Sequence, residues 1–227
     1  MAELIRCHPY SGLFEIHITV KNDEHAPSLD TFRQVCSTTG CKPVLIELPK
    51  GQHPTQMMTS SYHRGTLIEI QSLAYELANK FICNNFTITR IKIEIMFSCV
   101  GVPLTDLDAQ QVSPENYFEF HIKLNLPANQ DYVLLHQLID KHQAHLSKNA
   151  FKANNDTGEQ QRFVTMRMYH IGKDKAEARY LACLQDLEDN NFKVDSKMRE
   201  YSIYDSNVHL DAGWIEKSTS QHQQPRG

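Results

Sequence analysis

Residues 13–20 alternate strictly, with Phe14, Ile16, Ile18 and Val20 on one face and Glu15, His17 and Thr19 on the other. A period of two predicts a strand with one buried side. Residues 88–96 repeat it, with Ile91, Ile93 and Ile95 opposite Arg90, Lys92, Glu94 and Met96. Between these strands the period twice lengthens to that of a helix. Leu29, Phe32, Val35 and Cys36 form a stripe that opens near Ser28 and stops at Gly40. Beyond Gly65, apolar residues at 67, 70, 73, 74, 77 and 81 mark a second helix. Short strands at 43–48 and 57–62 complete the order strand, helix, strand, strand, helix, strand.

That order returns. Strands are predicted at 117–126, 145–152, 163–169 and 194–204, and helices at 132–143 and 176–187. The 145–152 strand reads as an edge, followed by a polar loop at 154–161. Letters return as well. Phe14-Glu15-Ile16-His17 matches Phe118-Glu119-Phe120-His121, and Tyr62-His63-Arg64-Gly65 matches Tyr169-His170-Ile171-Gly172. Ile91-Lys92-Ile93-Glu94 returns more loosely as Lys197-Met198-Arg199-Glu200. The expected fold class is α+β, a tandem duplication of a ferredoxin-like βαββαβ unit about a pseudo-two-fold axis. The repeats span 1–99 and 117–215, with a connector at 100–116 and a polar tail at 216–227. The two units form either a compact pseudo-dimer or one continuous sheet. Right-handed crossovers place the first and third strands centrally, with the fourth beside the first. Glu15 and His17 then neighbour Glu94, and Glu119 and His121 neighbour Glu200.

Composition narrows the function classes. The chain has 227 residues, 41% of them hydrophobic, and a formal net charge of −4. No run of Lys and Arg could neutralise a row of phosphates, so nucleic acid is not an expected partner. No stretch of roughly 18 apolar residues predicts a membrane span, and the N-terminal residues do not read as a leader peptide. The six cysteines, at 7, 36, 41, 83, 99 and 183, form no CxxC and read as free thiols. The expected compartment is the cytoplasm.

Helices cover one face of each predicted sheet, so the polar rows meet on the other. Glu15, His17, Arg90, Lys92 and Glu94 fall there, mirrored by Glu119, His121, Lys123 and Glu200, with Arg167 and Tyr169 joining by strand parity. Ionised groups between two sheets must be solvated, paired or lining a ligand cavity. If the two open faces look at each other, they enclose a polar barrel or cleft. The expected ligand is a small charged molecule, and Lys92, Lys123 and Arg167 could meet an anion. No metal site or cofactor is assigned, and self-association remains an open option. The alternatives are a metal-assisted or acid–base hydrolase acting on a phosphoester, and an interaction scaffold presenting exposed sheet edges.

Other strings carry less. Tyr-His-x-Gly reads as scaffold at a strand–helix junction, with Gly65 and Gly172 allowing the turn. His17-Ile18-Thr19 and His145-Leu146-Ser147 each resemble the His-x-Thr/Ser signature of two-histidine phosphoesterases. The repeat equivalent of His17 is His121, however, and Ile122-Lys123 follows it. Glu119-Phe120-His121-Ile122-Lys123 is similar to the Glu-x-Glu-x-Lys strand of triphosphate tunnel enzymes, with His in place of the second Glu. The segment 201–215 carries Asp205, Asp211 and the only tryptophan, Trp214. It either closes over the polar face or docks its indole to fix the chain end.

Overall fold

The computed structural model describes residues 10–150 and 159–215. The first half builds β1 (Ser11–Val20), α1 (Leu29–Thr39), β2 (Lys42–Glu47), β3 (Thr55–Thr66), α2 (Leu67–Ile82) and β4 (Ile88–Met96). A short helix, α3 (Asp106–Ala109), lies in the connector. The second half builds β5 (Tyr117–Leu126), α4 (Tyr132–Lys141), β6 (His145–Asn149), β7 (Gln160–Tyr169), α5 (Lys173–Asp189) and β8 (Val194–Asp205). A 3-10 turn at Val208–Asp211 ends the described elements. The described residues form an α+β fold, with eight antiparallel strands and five helices among them.

Local chemistry explains the helix boundaries. The Ser28 hydroxyl accepts from the Thr31 amide at the start of α1. At its end Gly40, at φ 69°, donates to the Cys36 carbonyl in a left-handed cap. Thr66 and Glu69 form a capping box at the start of α2.

The strands close into a barrel in the order β1-β3-β2-β6-β7-β5-β8-β4. Each half contributes its strands in the ferredoxin-like order fourth, first, third, second. Two seams join the halves. The β4–β8 seam runs from Lys92↔Asp205 to Met96↔Glu200. The β2–β6 seam is shorter, with Ile46↔Asn149 and Glu47↔Lys148. The strand expected as an edge, β6, is therefore paired on both sides. Closure satisfies backbone groups that an open sheet would expose.

The helices lie outside the barrel, and the apolar rows of the strands face them. Phe14, Ile16 and Ile18 are fully buried there. Phe32 of α1, Phe81 of α2 and Phe86 stack with centroids 5.6–5.9 Å apart. Across the second half Phe97, Phe118, Phe120 and Tyr180 pack edge-to-face. With the apolar rows turned outward beneath helices, the polar rows line the lumen. Among the described residues no helix is long and apolar enough to cross a membrane.

Several elements depart from the sequence reading. β3 runs to Thr66 rather than ending near Tyr62, because β1 pairs with it as far as Ser11↔Thr66. β7 begins at Gln160, within the stretch expected as loop. The remainder of that loop over 154–158, the polar tail at 216–227 and Cys7 lie outside the described residues.

The Tyr-His-x-Gly repeat also changes meaning. Tyr62 to Gly65 lies inside β3, with Gly65 opposite Gly12. Tyr169 ends β7, whereas Gly172 is the N-cap of α5. The strand registers put Glu15 opposite Tyr62 but Glu119 opposite Arg167. If the two Glu-x-His segments are superposed, the repeated tyrosines fall out of step by one inward-facing position.

Neither glycine serves the turn through a left-handed backbone, since Gly172 sits at φ −82°. Gly172 allows close approach instead: a Cβ there would lie 2.3 Å from the Thr105 carbonyl carbon. At Gly65 the nearest atom to such a Cβ is Oε2 at the end of the Glu69 side chain, at 3.0 Å, rather than backbone. Gly172→Ala is therefore expected to lower the urea-unfolding free energy by about 1–3 kcal/mol, and Gly65→Ala by less. Equal losses in the two variants would contradict this account.

Candidate functional site

The barrel encloses a cavity of ≈ 290 Å³. Of the charged and tyrosine residues expected on the polar face, all but Tyr169 line it: Glu15 and His17 from β1, Arg90, Lys92 and Glu94 from β4, and Glu119, His121 and Lys123 from β5. Arg167 from β7 and Glu200 from β8 complete that set. Register accounts for the convergence. Across β1 and β4, Glu15 faces Glu94, His17 faces Lys92 and Thr19 faces Arg90. Across β5, Glu119 faces Glu200 on one side and Arg167 on the other. Both halves thus set a first-strand Glu opposite a fourth-strand Glu.

Like charges directly opposite each other repel, so each carboxylate turns to a cation on its own strand, on the other neighbouring strand or across the lumen. Lys92 Nζ reaches Glu94 at 2.8 Å and Glu119 at 2.6 Å. Arg167 donates to Glu119 at 2.7 Å and to Asp211 at 2.8 Å. Arg90 donates to Asp205 at 2.8 Å and to Asp211 at 3.0 Å. Tyr117, fully buried, lies under the Arg167 guanidinium, 4.4 Å from ring centroid to Cζ, and its hydroxyl donates to Asp205 at 2.6 Å. Each buried lumen cation is thereby neutralised by carboxylates. Lys123, nearer the surface, pairs with Asp195 at 2.6 Å. The anion-meeting role expected of Lys92, Lys123 and Arg167 would have to compete with these partners.

His17 is held as an imidazolium by its geometry. The β1–β3 ladder is interrupted at His17 and Ile18. There the Ile18 amide donates to Thr59 Oγ1, and His17 Nδ1 donates to the Thr59 carbonyl at 2.8 Å. Nε2 then points at Glu94, 3.2 Å away, and at Glu15, 3.6 Å away. A ring with Nδ1 donating to a carbonyl and Nε2 facing two carboxylates favours a proton on both nitrogens. Burial opposes that charge, but Glu15 and Glu94 outweigh it and raise the His17 pKa.

The carboxylates divide. Burial works to raise the Glu15 carboxyl, yet His17 and hydrogen bonds from Glu200, Ser60 and Tyr62 hold it down to about 2. Glu200 goes the other way. Burial, with Glu94 and Glu15 beside it, pushes its carboxyl well above the usual range. Of the two, Glu200 is the carboxyl whose surroundings favour the protonated form, and Glu15 the one whose surroundings favour the charged form. Glu119, also buried, is brought well below the usual range by Arg167 and Lys92.

The ends of the barrel differ. At one end the 3-10 turn inserts Asp211 between Arg90 and Arg167, and Gln56 donates to it at 2.9 Å. Trp214 Nε1 donates to the Leu146 carbonyl at 3.0 Å, and its ring packs on Leu48 and Ile46. The C-terminal segment thus both closes the lumen and docks its indole. Toward the other end Tyr62 is 46% exposed. Neither His63 nor His170 lines the lumen; His63 instead bonds Ser61 Oγ at 3.0 Å. Sequence reading missed Gln56, Met58, Ser60 and Tyr62 as a lining row. Strand parity was the available signal, since 57, 59 and 61 form the buried outer row. Among the described residues no group of three or more His, Cys, Asp or Glu is arranged to hold a metal ion.

The pH dependence of stability follows from these environments. Glu15 and Asp205 are both held down to about 2, from 4.5 and 3.8. Their contributions are present above those ordinary values and vanish as pH falls toward 2, each on the order of 2–4 kcal/mol. The raised Glu200 has the opposite sign: its contribution is full at low pH and is lost as pH rises through its folded value. Urea unfolding across pH should therefore show acid destabilisation of the wild type. It should also show Glu200→Gln more stable than wild type at neutral pH, by about 1–3 kcal/mol, with the gap closing in acid. A gap that widens in acid would reverse the assignment.

No family model matches the chain, and no curated protein matches it. Among solved structures, the small subunit of acetolactate synthase from Thermotoga maritima is similar at 10% identity and a TM-score of 0.28, over 82% of this chain and 92% of that one. A mutant chlorite dismutase from Candidatus Nitrospira defluvii is similar at 12% identity and a TM-score of 0.28, over 86% and 92%. At these scores the likenesses add nothing to what strand order and side-chain geometry establish.

Proposed function

We propose that the chain binds a small charged molecule inside the barrel, in a reducing compartment such as the cytoplasm. The observation carrying this reading is the ≈ 290 Å³ lumen lined by titratable side chains from both halves. Ordinary packing would fill such a barrel with apolar residues. Here the apolar rows face the helices and the charges face a space. The free thiols Cys36, Cys41, Cys83, Cys99 and Cys183 fit the compartment. We also infer that the halves arose by duplication of one βαββαβ unit. The matched pairings Glu15↔Glu94 and Glu119↔Glu200 support that origin, although the tyrosine motif is out of step.

A thermal-shift screen with charged metabolites tests the binding reading. Some compounds should raise the melting temperature of the wild type, and His17→Ala or His121→Ala should reduce that shift. Shifts that survive both substitutions unchanged would place binding elsewhere, and a screen without any shift would end the reading.

The second reading, an acid–base hydrolase acting on a phosphoester, draws support from the split between Glu15 and Glu200. Two carboxyls whose environments drive them apart supply one acid and one base. This reading expects turnover of p-nitrophenyl phosphate that Glu200→Gln lowers about 100-fold or more. Absence of turnover across pH would remove it.

A further inference from the structure

Anions and cations alternate through the lumen from Asp205 to Glu15, and the alternation fails at one place. Arg90, Arg167 and Lys92 each stand between carboxylates, and His17 stands between Glu94 and Glu15. Beyond Glu15 the lining continues with Glu200, a second carboxyl, which β8 sets opposite Met96, two residues along β4 from Glu94, the register partner of Glu15. In the other half, Arg167 stands opposite Glu119 in the register. Opposite Glu15, the same register position holds Tyr62. The first half thus has a neutral phenol where the second has a guanidinium.

Two further observations mark this break as a binding position. Glu200 is only 2% exposed, yet its Oε1 accepts no hydrogen bond and the side chain lines the cavity. A buried carboxyl oxygen without a partner is costly unless something fills the gap. In addition, the wall is two-sided. Val44, Ile46, Met58, Phe163 and Met198 are partly accessible lining residues, giving the lumen an apolar side. Tyr62 lines the cavity as well, with its hydroxyl toward Glu15.

Resting on the lumen-binding reading, we propose that the ligand is a small organic cation with an apolar body, its ammonium seated between Glu15 and Glu200. Its apolar part lies against the Val44, Met58 and Phe163 side. The ammonium takes the electrostatic place that Arg167 holds beside Glu119. The groups facing Glu200 are Glu15 of β1, Tyr62 of β3, Lys92 and Glu94 of β4, and Glu119 of β5. An arriving cation allows Glu200 to ionise, so binding transfers one proton from the Glu200 carboxyl to solvent and leaves a carboxylate–ammonium pair.

Three probes of similar size separate the possibilities: phenethylammonium, 3-phenylpropionate and 2-phenylethanol. Calorimetry at neutral pH should show phenethylammonium binding at least about tenfold more tightly than either of the others. Its enthalpy should vary between buffers of different ionisation heat as the release of one proton requires. Glu200→Gln should abolish the proton release and weaken binding about tenfold or more, with folding checked by circular dichroism. Tyr62→Leu, which leaves the carboxyl pair intact, should weaken binding while preserving proton release. Tighter binding of 3-phenylpropionate, or amine binding without proton release, would overturn the proposal and leave lumen binding standing. If none of the probes binds while anionic metabolites in the screen do, the cation is again wrong. If nothing binds at all, the underlying reading fails with it.

Discussion

A continuous run of ion pairs inside a closed barrel is the constraint on which the rest of this molecule depends. It passes from Asp205 through Arg90, Asp211, Arg167, Glu119, Lys92 and Glu94 to His17 and Glu15. Charges out of water are costly, and mutual attraction offsets that cost only where geometry supplies a partner for each. The run therefore ties β1, β4, β5, β7, β8 and the C-terminal turn to one arrangement. Removing one partner from a buried pair typically costs about 3–5 kcal/mol, because it strands the other charge. The barrel has little freedom to slip in register, since a one-residue shift would send every lumen charge into the helix-facing core.

This arrangement reverses the common small barrel, whose interior is filled with apolar side chains. The four longer helices make the reversal affordable in physical terms. They supply a dry outer layer for Phe14, Ile16, Ile18, Phe118 and Phe120, so the hydrophobic driving force is spent outside the wall. With an apolar side of Val44, Ile46, Met58, Phe163 and Met198, the inner face then carries the charged and polar rows. Ser60, Gln56, Tyr117 and Thr59 help satisfy them through hydrogen bonds to Glu15, Asp211, Asp205 and His17 respectively. What these bonds leave without a hydrogen-bond partner includes Glu200 Oε1, in the buried wall of the lumen.

Much of this was legible in the chain. The alternation at 13–20 and 88–96 specifies which side chains share a face, and Ser28 and Gly40 mark the limits of α1. The repeated Glu-x-His and the distant Glu94 and Glu200 point at a common surface. Other features were hidden. Tyr62 and Tyr169 carry the same letters in the same motif, yet one lies inside a strand and lines the lumen while the other ends its strand. No local pattern separates them, because the difference lies in how far β1 continues to pair with β3. Asp211 was visible only as one acidic residue in a polar, aromatic segment. Its insertion between Arg90 and Arg167 depends on residues far away in sequence.

The sequence by itself determined the strands and helices, the faces that turn toward helices, and the residue types collected on the opposite face. Periodicity and capping are local, and they act over a few residues. Tertiary structure decided that the two sheets close on each other, which carboxylates receive a cation, and which carboxyl is buried beside others of its own charge. Those outcomes rest on cross-strand register and on long-range contacts such as Arg167 with Asp211. Electrostatic energy between buried groups depends on distances that only closure of the barrel sets.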